Sequence, residues 1–313
     1  MKAAQINKYG GVDVIEINEN APKPSVSEGQ ILVAVHEASI NPIDWKIRAG
    51  YLQGMNLPFP MTLGGDFSGV VIEVGGNVTN FKVGDAVYGQ GGVLNEGSGS
   101  FAEFAAASVN KVAAKPKNLD FRQASSLPLT GVSALQALEG HINLSKGQKI
   151  LIHGGAGGIG TIAIQIAKAL GAYAVTTVNG KDIDYVKSLG ADETIDYKNN
   201  DFERKLKDFD AVFDTVGGDT TDKSFKVLKK GGTLVSMVRE PSPELAEKYG
   251  ITAIRQGTDS NPERLSRLSE LVESGKIKAQ IDKVFPLEQV REAFKHLEEG
   301  HPRGKVVLEI KKN

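Results

Sequence analysis

The stretch "ILIHGGAGGIGTIAIQIAKALGA" (residues 150–172) decides how the rest of the chain is read. An apolar run ends at His153, and the seven positions from 154 to 160 then hold five glycines. After the glycines, Ile162, Ile166 and Leu170 recur at helical spacing, with Ala163 and Ala167 small enough for close packing on a sheet. Within the turn, Gly155-Ala-Gly157-Gly158-Ile159-Gly160 fits G-x-G-x-x-G. Each glycine has a physical reason to be there: Gly155 for a tight turn, Gly157 for close approach of a pyrophosphate, and Gly160 for a helix lying near the strand. The first free N–H groups of that helix, from Gly158 and Ile159, face the anion. The alternative is a strand-to-helix turn with no ligand. A strand, the motif, a helix and a second strand in that order favour the dinucleotide.

Outward from this turn the chain alternates. A strand at 149–154 is followed by a helix over 158–170, a strand at 173–178, and a helix over 181–189. Next come a strand at 209–217, a helix over 219–229 and a strand at 232–238. Such alternation predicts a doubly wound parallel sheet with helices on both faces, the Rossmann arrangement of the α/β class. The first hundred residues differ. "QILVAVHEASI" (30–40), "SGVVIEVG" (68–75), "FKVGDAVYG" (81–89) and "GSFAEFAAA" (99–107) read as short strands without helices between them, a rolled β-rich domain. The tail gives an amphipathic helix at 286–300 and a lone strand, "GKVVLEI" (304–310), that needs a sheet to join. The N-terminal β domain is the expected host. The expected division is 1–122, 123–265, and a returning segment 266–313.

The second strand of the α/β part chooses between cofactors. An NAD site wants Asp or Glu at its end, about 20 residues past the glycines, to hold the ribose hydroxyls. Here the end reads "TTVNGKD", with Asn179 in the acid's place and Lys181 two residues on. The missing carboxylate removes repulsion toward a 2′-phosphate, and Lys181 can pair with one, which points to NADPH. The other reading makes Lys181 a solvated residue at a helix start, with Asp182 beside it.

Composition excludes other classes. The chain has 313 residues, a formal net charge of −1, and no cysteine. No basic block supports a nucleic-acid or membrane footprint. Disulfides, thiolate nucleophiles and thiolate metal ligands are absent. His36, His141, His153, His296 and His301 show no paired-ligand spacing, so no metal is expected, and His153 reads as a packed or capping residue. The N-terminus "MKAAQINKYG" lacks an apolar region of signal-peptide length, and a cytoplasmic location is the default expectation.

Several ordered motifs together resemble the medium-chain dehydrogenase/reductase superfamily, in its zinc-independent quinone-oxidoreductase and enone-reductase branch. They are "ASINPIDWKIRAG" (38–50), "LGGDFSGVVIEVG" (63–75), "FKVGDAVYG", "GSFAEF", "SSLPLTGVSALQAL" (125–138), the glycine turn, "LGADETIDY" (189–197), "FDAVFDTVGG" and "GHPRGKVVL" (300–308). The resemblance covers the whole chain and implies a GroES-like substrate domain, closed by the C-terminal strand, around a Rossmann domain. Zinc enzymes of the superfamily carry a metal-binding Cys where this sequence has Asn41 and a metal-binding His where it has Gly65. Without a Lewis acid, alcohol–carbonyl interconversion loses its polarising group.

Hydride transfer remains open to acceptors that are already electrophilic, quinones and α,β-unsaturated carbonyls. These need positioning and a donor to the conjugated oxygen. "NPIDWKIRAG" offers Asn41 as an amide donor, Asp44 to orient it or a water, and Lys46 to stabilise an enolate-like oxygen. The bland alternative is a turn at Asn41-Pro42 and helical ion pairs from Asp44 to Lys46 or Arg48. By position in the resemblance, Thr130 approaches the nicotinamide, and Lys305 reaches the pyrophosphate from the C-terminal strand. Gly217, Ser236 and Val238, at carboxyl ends of sheet strands, face the cofactor. The expected activity is therefore NADPH-dependent reduction of a small-molecule quinone or enone. An enoyl-thioester reductase and a non-catalytic NADPH-binding relative are the alternatives. Relatives of this kind pair Rossmann sheets edge to edge, so a homodimer through "GITAIRQG" (250–257) is expected, with no nucleic-acid or membrane partner.

Overall fold

The computed structural model describes residues 1–311. In chain order the first part holds β1 (Ala3–Ile6), β2 (Ile15–Asn18), β3 (Gln30–Ile40), α1 (Pro42–Arg48), β4 (Met61–Thr62) and β5 (Asp66–Val74). It continues with β6 (Ala86–Gln90), β7 (Phe104–Ser108), β8 (Val112–Ala114) and α2 (Phe121–Ser125). The central part has α3 (Pro128–Leu135), β9 (Lys149–His153), α4 (Gly158–Ala169), β10 (Tyr173–Val178), α5 (Ile183–Ser188), β11 (Glu193–Asp196) and α6 (Phe202–Lys205). It ends with β12 (Phe209–Asp214), α7 (Asp219–Ser224), β13 (Leu228–Ser236), α8 (Pro243–Tyr249) and β14 (Thr252–Arg255). The return is α9 (Pro262–Glu273), β15 (Ile281–Pro286), α10 (Val290–Gly300) and β16 (Lys305–Glu309).

Two compact units result. One comprises Met1–Leu129, Ser260–Glu273 and residues 279–311; the other comprises Thr130–Asp259 and Ser274–Lys278. Residues 123–129 thus lie in the first unit rather than with the dinucleotide fold, because α2 packs on β3 and β5 and the Leu129 N–H donates to Asp66. Residues 260–265 likewise lie with the first unit, where the Leu265 carbonyl accepts from the buried Tyr88 hydroxyl at 2.6 Å.

The first unit is β-rich. Its main sheet runs β15-β16-β3-β5-β6-β8, with β7 also paired to β3, and a small sheet runs β2-β1-β4. Strand alternation sends Ile31, Val33, Phe67, Val87, Val306 and Leu308 into one apolar core, closed by Phe294 of α10 and Phe101. The C-terminal strand does join this sheet, antiparallel to β3 with Val306 opposite Ile40. It is not a lone strand, however: "IDKVFP" adds β15 in parallel on its other side. Asp282 and Lys283 hide the apolar alternation of that segment, whose edge position lets charged residues face solvent.

The second unit is a parallel sheet of order β11-β10-β9-β12-β13-β14. The chain winds outward one way from β9 and the other way from β12, so the carboxyl ends of these two strands form the topological switch point where open α/β sheets bind ligands. The strand β11 and the short α6 were not expected, since no element was read between the helix ending at 189 and the strand starting at 209. The helix expected over 219–229 stops at Ser224, because Leu228 already pairs with Phe209. The segment "PERLSRLSELVE" forms α9, which ends at Glu273.

One buried acid sits on the seam between β3 and β16. Glu37 lies opposite Glu309 across the strands, and Arg122 reaches Glu37 Oε1 at 3.4 Å and Glu309 Oε1 at 3.1 Å. Glu37 Oε2 has no hydrogen-bond partner among the described residues. Burial pushes the Glu37 carboxyl up to about 7, against the opposing pull of Arg122 and with help from Glu309. A carboxyl raised in the folded state contributes stability below its unfolded value that is lost as pH rises through the folded value. Replacing Glu37 by Gln removes that loss. The melting-temperature difference between Glu37→Gln and the parent is therefore expected to move several degrees in the variant's favour from about pH 5 to about pH 8. Parallel melting curves across that range contradict the assignment.

Candidate active site

In the second unit the glycine turn lies at the switch point. Gly154 takes φ +76, the left-handed region that suits glycine, and Thr215 Oγ1 from the end of β12 donates to the His153 carbonyl beside it at 2.7 Å. The tight turn is therefore at Gly154 rather than Gly155. A Cβ on Gly155 would stand 2.1 Å from Thr176 Oγ1 of β10, and one on Gly160 would stand 2.2 Å from the Gly154 carbonyl oxygen. Those two glycines are demanded by packing. Gly157 is different: a Cβ there meets only the Gly154 carbonyl oxygen, at 3.4 Å. It is the N-cap of α4, with no side-chain cap, and its neighbours Gly158 and Ile159 are half-buried at the helix start. Open space over a glycine and the unpaired N–H groups of a twelve-residue helix fit a pyrophosphate.

His153 proves to be a packing residue. Its ring is fully buried, with Thr177 Oγ1 and Ser224 Oγ each 3.0 Å from a ring nitrogen and Phe202 edge-on at 4.6 Å. Burial holds its pKa down at about 4, so the ring is neutral at physiological pH.

At the end of β10, Asn179 caps a single 3-10 turn over Gly180–Asp182, its Oδ1 accepting from the Lys181 N–H at 3.4 Å. Lys181 is exposed and Asp182 buried. A carboxylate does reach this end of the sheet, but from β11: Asp196 lies opposite Val178 and crowds Gly180. Its oxygens already accept from the Lys198 N–H at 3.1 Å and Asn199 Nδ2 at 2.6 Å. Gly217 takes φ +81, its N–H donating to the buried Asp214, and a Cβ there would strike Val238 at 2.7 Å. Ser236 is fully buried with its Oγ accepting from the N–H groups of Val238 and Arg239, so it shapes the turn. Val216 and Val238 stand exposed at the carboxyl ends of β12 and β13. Thr130 is buried inside α3, two residues past its Pro128 start.

In the first unit, three adjacent strands deliver one polar cluster. Asn41 follows the last residue of β3, Asp66 opens β5 opposite Ser39, and Lys305 opens β16 next to the Val306–Ile40 pair. Lys305 Nζ donates to the Ile40 carbonyl at 2.6 Å and to Asn41 Oδ1. Asn41 Nδ2 donates to Asp66 Oδ2 at 2.9 Å. Asp66 Oδ1 accepts from Gln90 Nε2 at 3.0 Å, and both its oxygens accept from the Leu129 N–H at 3.2 Å. Asp44, at the third position of α1, reaches back to accept from the Asn41 N–H at 2.7 Å. Asn41, Asp44, Asp66 and Lys305 are 1, 2, 0 and 5 % exposed. Burial pushes the Asp44 carboxyl up to about 7 and raises that of Asp66, while it lowers the Lys305 ammonium.

The cluster differs from the sequence reading at three residues. Asp44 makes no helical ion pair: Arg48 turns away to grip Glu298 of α10 with two bonds, at 2.8 and 3.1 Å, anchoring α1. Lys305, expected to reach toward a pyrophosphate, is buried with its ammonium bonded to the Ile40 carbonyl and the Asn41 amide. Asp66 was absent from the expected site although "LGGD" places an acid at a strand start. Lys46 is half-buried, its ammonium 5.8 Å from the Trp45 ring, and Trp45 packs edge-on to Tyr51 at 5.5 Å.

Zinc does not suit these side chains. It prefers thiolate, imidazole and carboxylate donors in a tetrahedron. Here the ligand-like oxygen of Asn41 already accepts from an ammonium, and no group of three or more His, Cys, Asp or Glu could hold a metal among the described residues.

Residues 27–117 match the alcohol dehydrogenase GroES-like domain, and residues 189–308 match the zinc-binding dehydrogenase family. The chain is 39% identical over 320 residues to a 2-methylene-furan-3-one reductase of Solanum lycopersicum, covering 98% of this chain and 79% of the relative. It is 39% identical over 316 residues to the chloroplastic NADPH-dependent alkenal/one oxidoreductase of Arabidopsis thaliana, with the same coverage of 98% and 79%. The solved quinone oxidoreductase of Coxiella burnetii superposes with a TM-score of 0.91 at 37% identity, over 99% of both chains. With this sheet topology, this glycine turn and these relatives, the chain belongs to the medium-chain dehydrogenase/reductase superfamily, in its quinone-oxidoreductase and enone-reductase branch.

Proposed function

We propose that the protein is a metal-independent, NADPH-dependent reductase of a quinone or of the C=C bond of an α,β-unsaturated carbonyl. The observation that carries this reading is the Lys305 ammonium lodged on Asn41 and Ile40: the cluster offers an acceptor fixed hydrogen-bond donors and no Lewis acid. Such a site suits substrates already polarised by conjugation. The names of the tomato and Arabidopsis relatives describe reduction of such compounds.

Bound NADPH supplies a hydride. The chain's own residues do the rest. Gly157, Gly158, Ile159 and Gly160 hold the pyrophosphate at the start of α4, with Gly155 keeping the turn against β10. Asn179 leaves room for the 2′-phosphate and Lys181 pairs with it. Thr130, Gly217, Ser236 and Val238 line the nicotinamide end, the buried ones by shaping the strand ends. Asn41 donates to the acceptor's oxygen as it gains negative charge, Asp44 fixes the backbone from which Asn41 projects, and Lys46 adds positive charge nearby. We assign acceptor binding to the β-rich unit and cofactor binding to the parallel-sheet unit. The free edge of β14 suits pairing with a second copy, giving a homodimer, and the cytosol is the proposed location. No helix among the described residues is long and apolar enough to cross a membrane.

Steady-state assays test the reading. NADPH oxidation is expected with small enones or quinones and not with enoyl thioesters, and NADPH is preferred to NADH. Lys181→Ala should erase most of that preference. NADPH binding without turnover on quinones, enones or aldehydes contradicts the enzyme reading, and equal losses for both cofactors contradict the phosphate assignment.

The glycines separate by kind. Gly157→Ala should keep the parent's melting temperature and weaken NADPH binding about tenfold or more, because its Cβ would occupy the anion's space. Gly160→Ala should cost about 1–3 kcal/mol of stability, since a backbone carbonyl blocks its Cβ. Equal effects of the two on stability contradict this division.

A further inference from the structure

The amide of Asn41 is held at both ends by groups that cannot exchange roles. An ammonium only donates, so the atom facing Lys305 must be Oδ1; an ionised carboxylate only accepts, so the atom facing Asp66 must be Nδ2. One amide N–H goes to Asp66, and the second has no acceptor among the described residues. Asp66 is itself fixed from two other directions, by Gln90 and by the Leu129 N–H. Lys305 is fixed by the Ile40 carbonyl, one residue before Asn41. The strand register puts all three side chains at one end of β16, β3 and β5, so the arrangement is built into the sheet.

Such a cluster is costly. Burying two carboxylates and one ammonium is expensive, and hydrophobic replacements of similar volume often serve stability as well or better. An amide that only filled space would not need one end pinned by a cation and the other by an anion.

We propose that Asp66 and Lys305 are positioning residues for the reduction, locking the Asn41 amide so that its second N–H is aimed at the acceptor's oxygen. The inference rests on the reductase reading above. As the hydride forms a C–H bond at the β-carbon, the π pair of the C=C bond shifts and leaves negative charge on the carbonyl oxygen. The locked N–H meets that charge without having to reorient. A proton from solvent then completes the reduction at the α-carbon, so one hydride and one proton are consumed for each NADPH oxidised. A preorganised donor of this kind is worth about 10²–10³ in kcat when removed outright. Loosening it should cost less.

The test compares Asp66→Asn, Lys305→Met and the double variant on an enone that the parent reduces, with NADPH affinity measured separately by cofactor fluorescence. Each single variant should lose about 10- to 100-fold in kcat, with NADPH affinity within about twofold of the parent. The double variant removes one charge of each sign, which guards against loss of folding from an unpaired buried charge. It should melt closer to the parent than either single variant and still show the loss in kcat. A double variant with the parent's kcat overturns the proposal. So does a Lys305→Met enzyme whose NADPH affinity falls as far as its kcat, because Lys305 would then be a cofactor ligand. A parent without turnover on any enone or quinone overturns the reductase reading and this inference together; an active parent with unaffected variants overturns only the inference.

Discussion

A buried ammonium sets the terms for the first unit. Lys305 opens β16, and the residue is 5 % exposed. An ion so placed is tolerated only with excellent partners. It finds them in the Ile40 carbonyl and the Asn41 amide, with the Asp66 carboxylate beyond. That requirement ties the start of β16 to the end of β3, where Asn41 leads into α1. Arg48 secures the other end of α1 through Glu298. The short helix that carries Asp44 and Lys46 is thus tied down at both ends.

The second unit is governed by close approach instead of charge. Its glycine turn sits where the sheet's winding reverses, and the glycines divide the labour. Gly154 supplies the left-handed backbone, Gly155 clears Thr176, and Gly160 clears the turn's own carbonyl. Gly157, by contrast, opens onto unfilled space. Around them His153 bonds Thr177 and Ser224, half-buried Thr215 donates to the His153 carbonyl, and Thr221 Oγ1 donates to buried Asp214 at 2.6 Å, holding the strand ends together. A neutral histidine serves there because both of its nitrogens have hydroxyl partners.

What the sequence disclosed follows from range. The glycine turn, the alternation after it and the β-rich start are local patterns, and period and turn chemistry suffice to read them. Asn41 and Asp44 were legible because they lie three residues apart on one helix start. Asp66 was not, since it lies 25 positions from Asn41 and meets it only through the register of β5 on β3. Lys305 was found as a residue but misjudged in its surroundings: its partner Asn41 is 264 positions away, and no periodicity announces a buried lysine. Among the unexpected strands, β11 and β15 are short and carry charged residues, so neither shows a clean alternation. Their pairing is decided by the sheet edge they complete.

The central claim is that hydride passes from a nicotinamide to the conjugated carbon of an acceptor held by fixed protein donors, without a metal. The most direct measurement uses NADPH carrying deuterium at the transferring C4 position, with an enone acceptor in a chelator-containing buffer. The account predicts one deuterium at the product's β-carbon, a protium from water at the α-carbon, and a rate indifferent to the chelator. A product without label at the β-carbon, or turnover abolished by the chelator and restored by zinc, would contradict it.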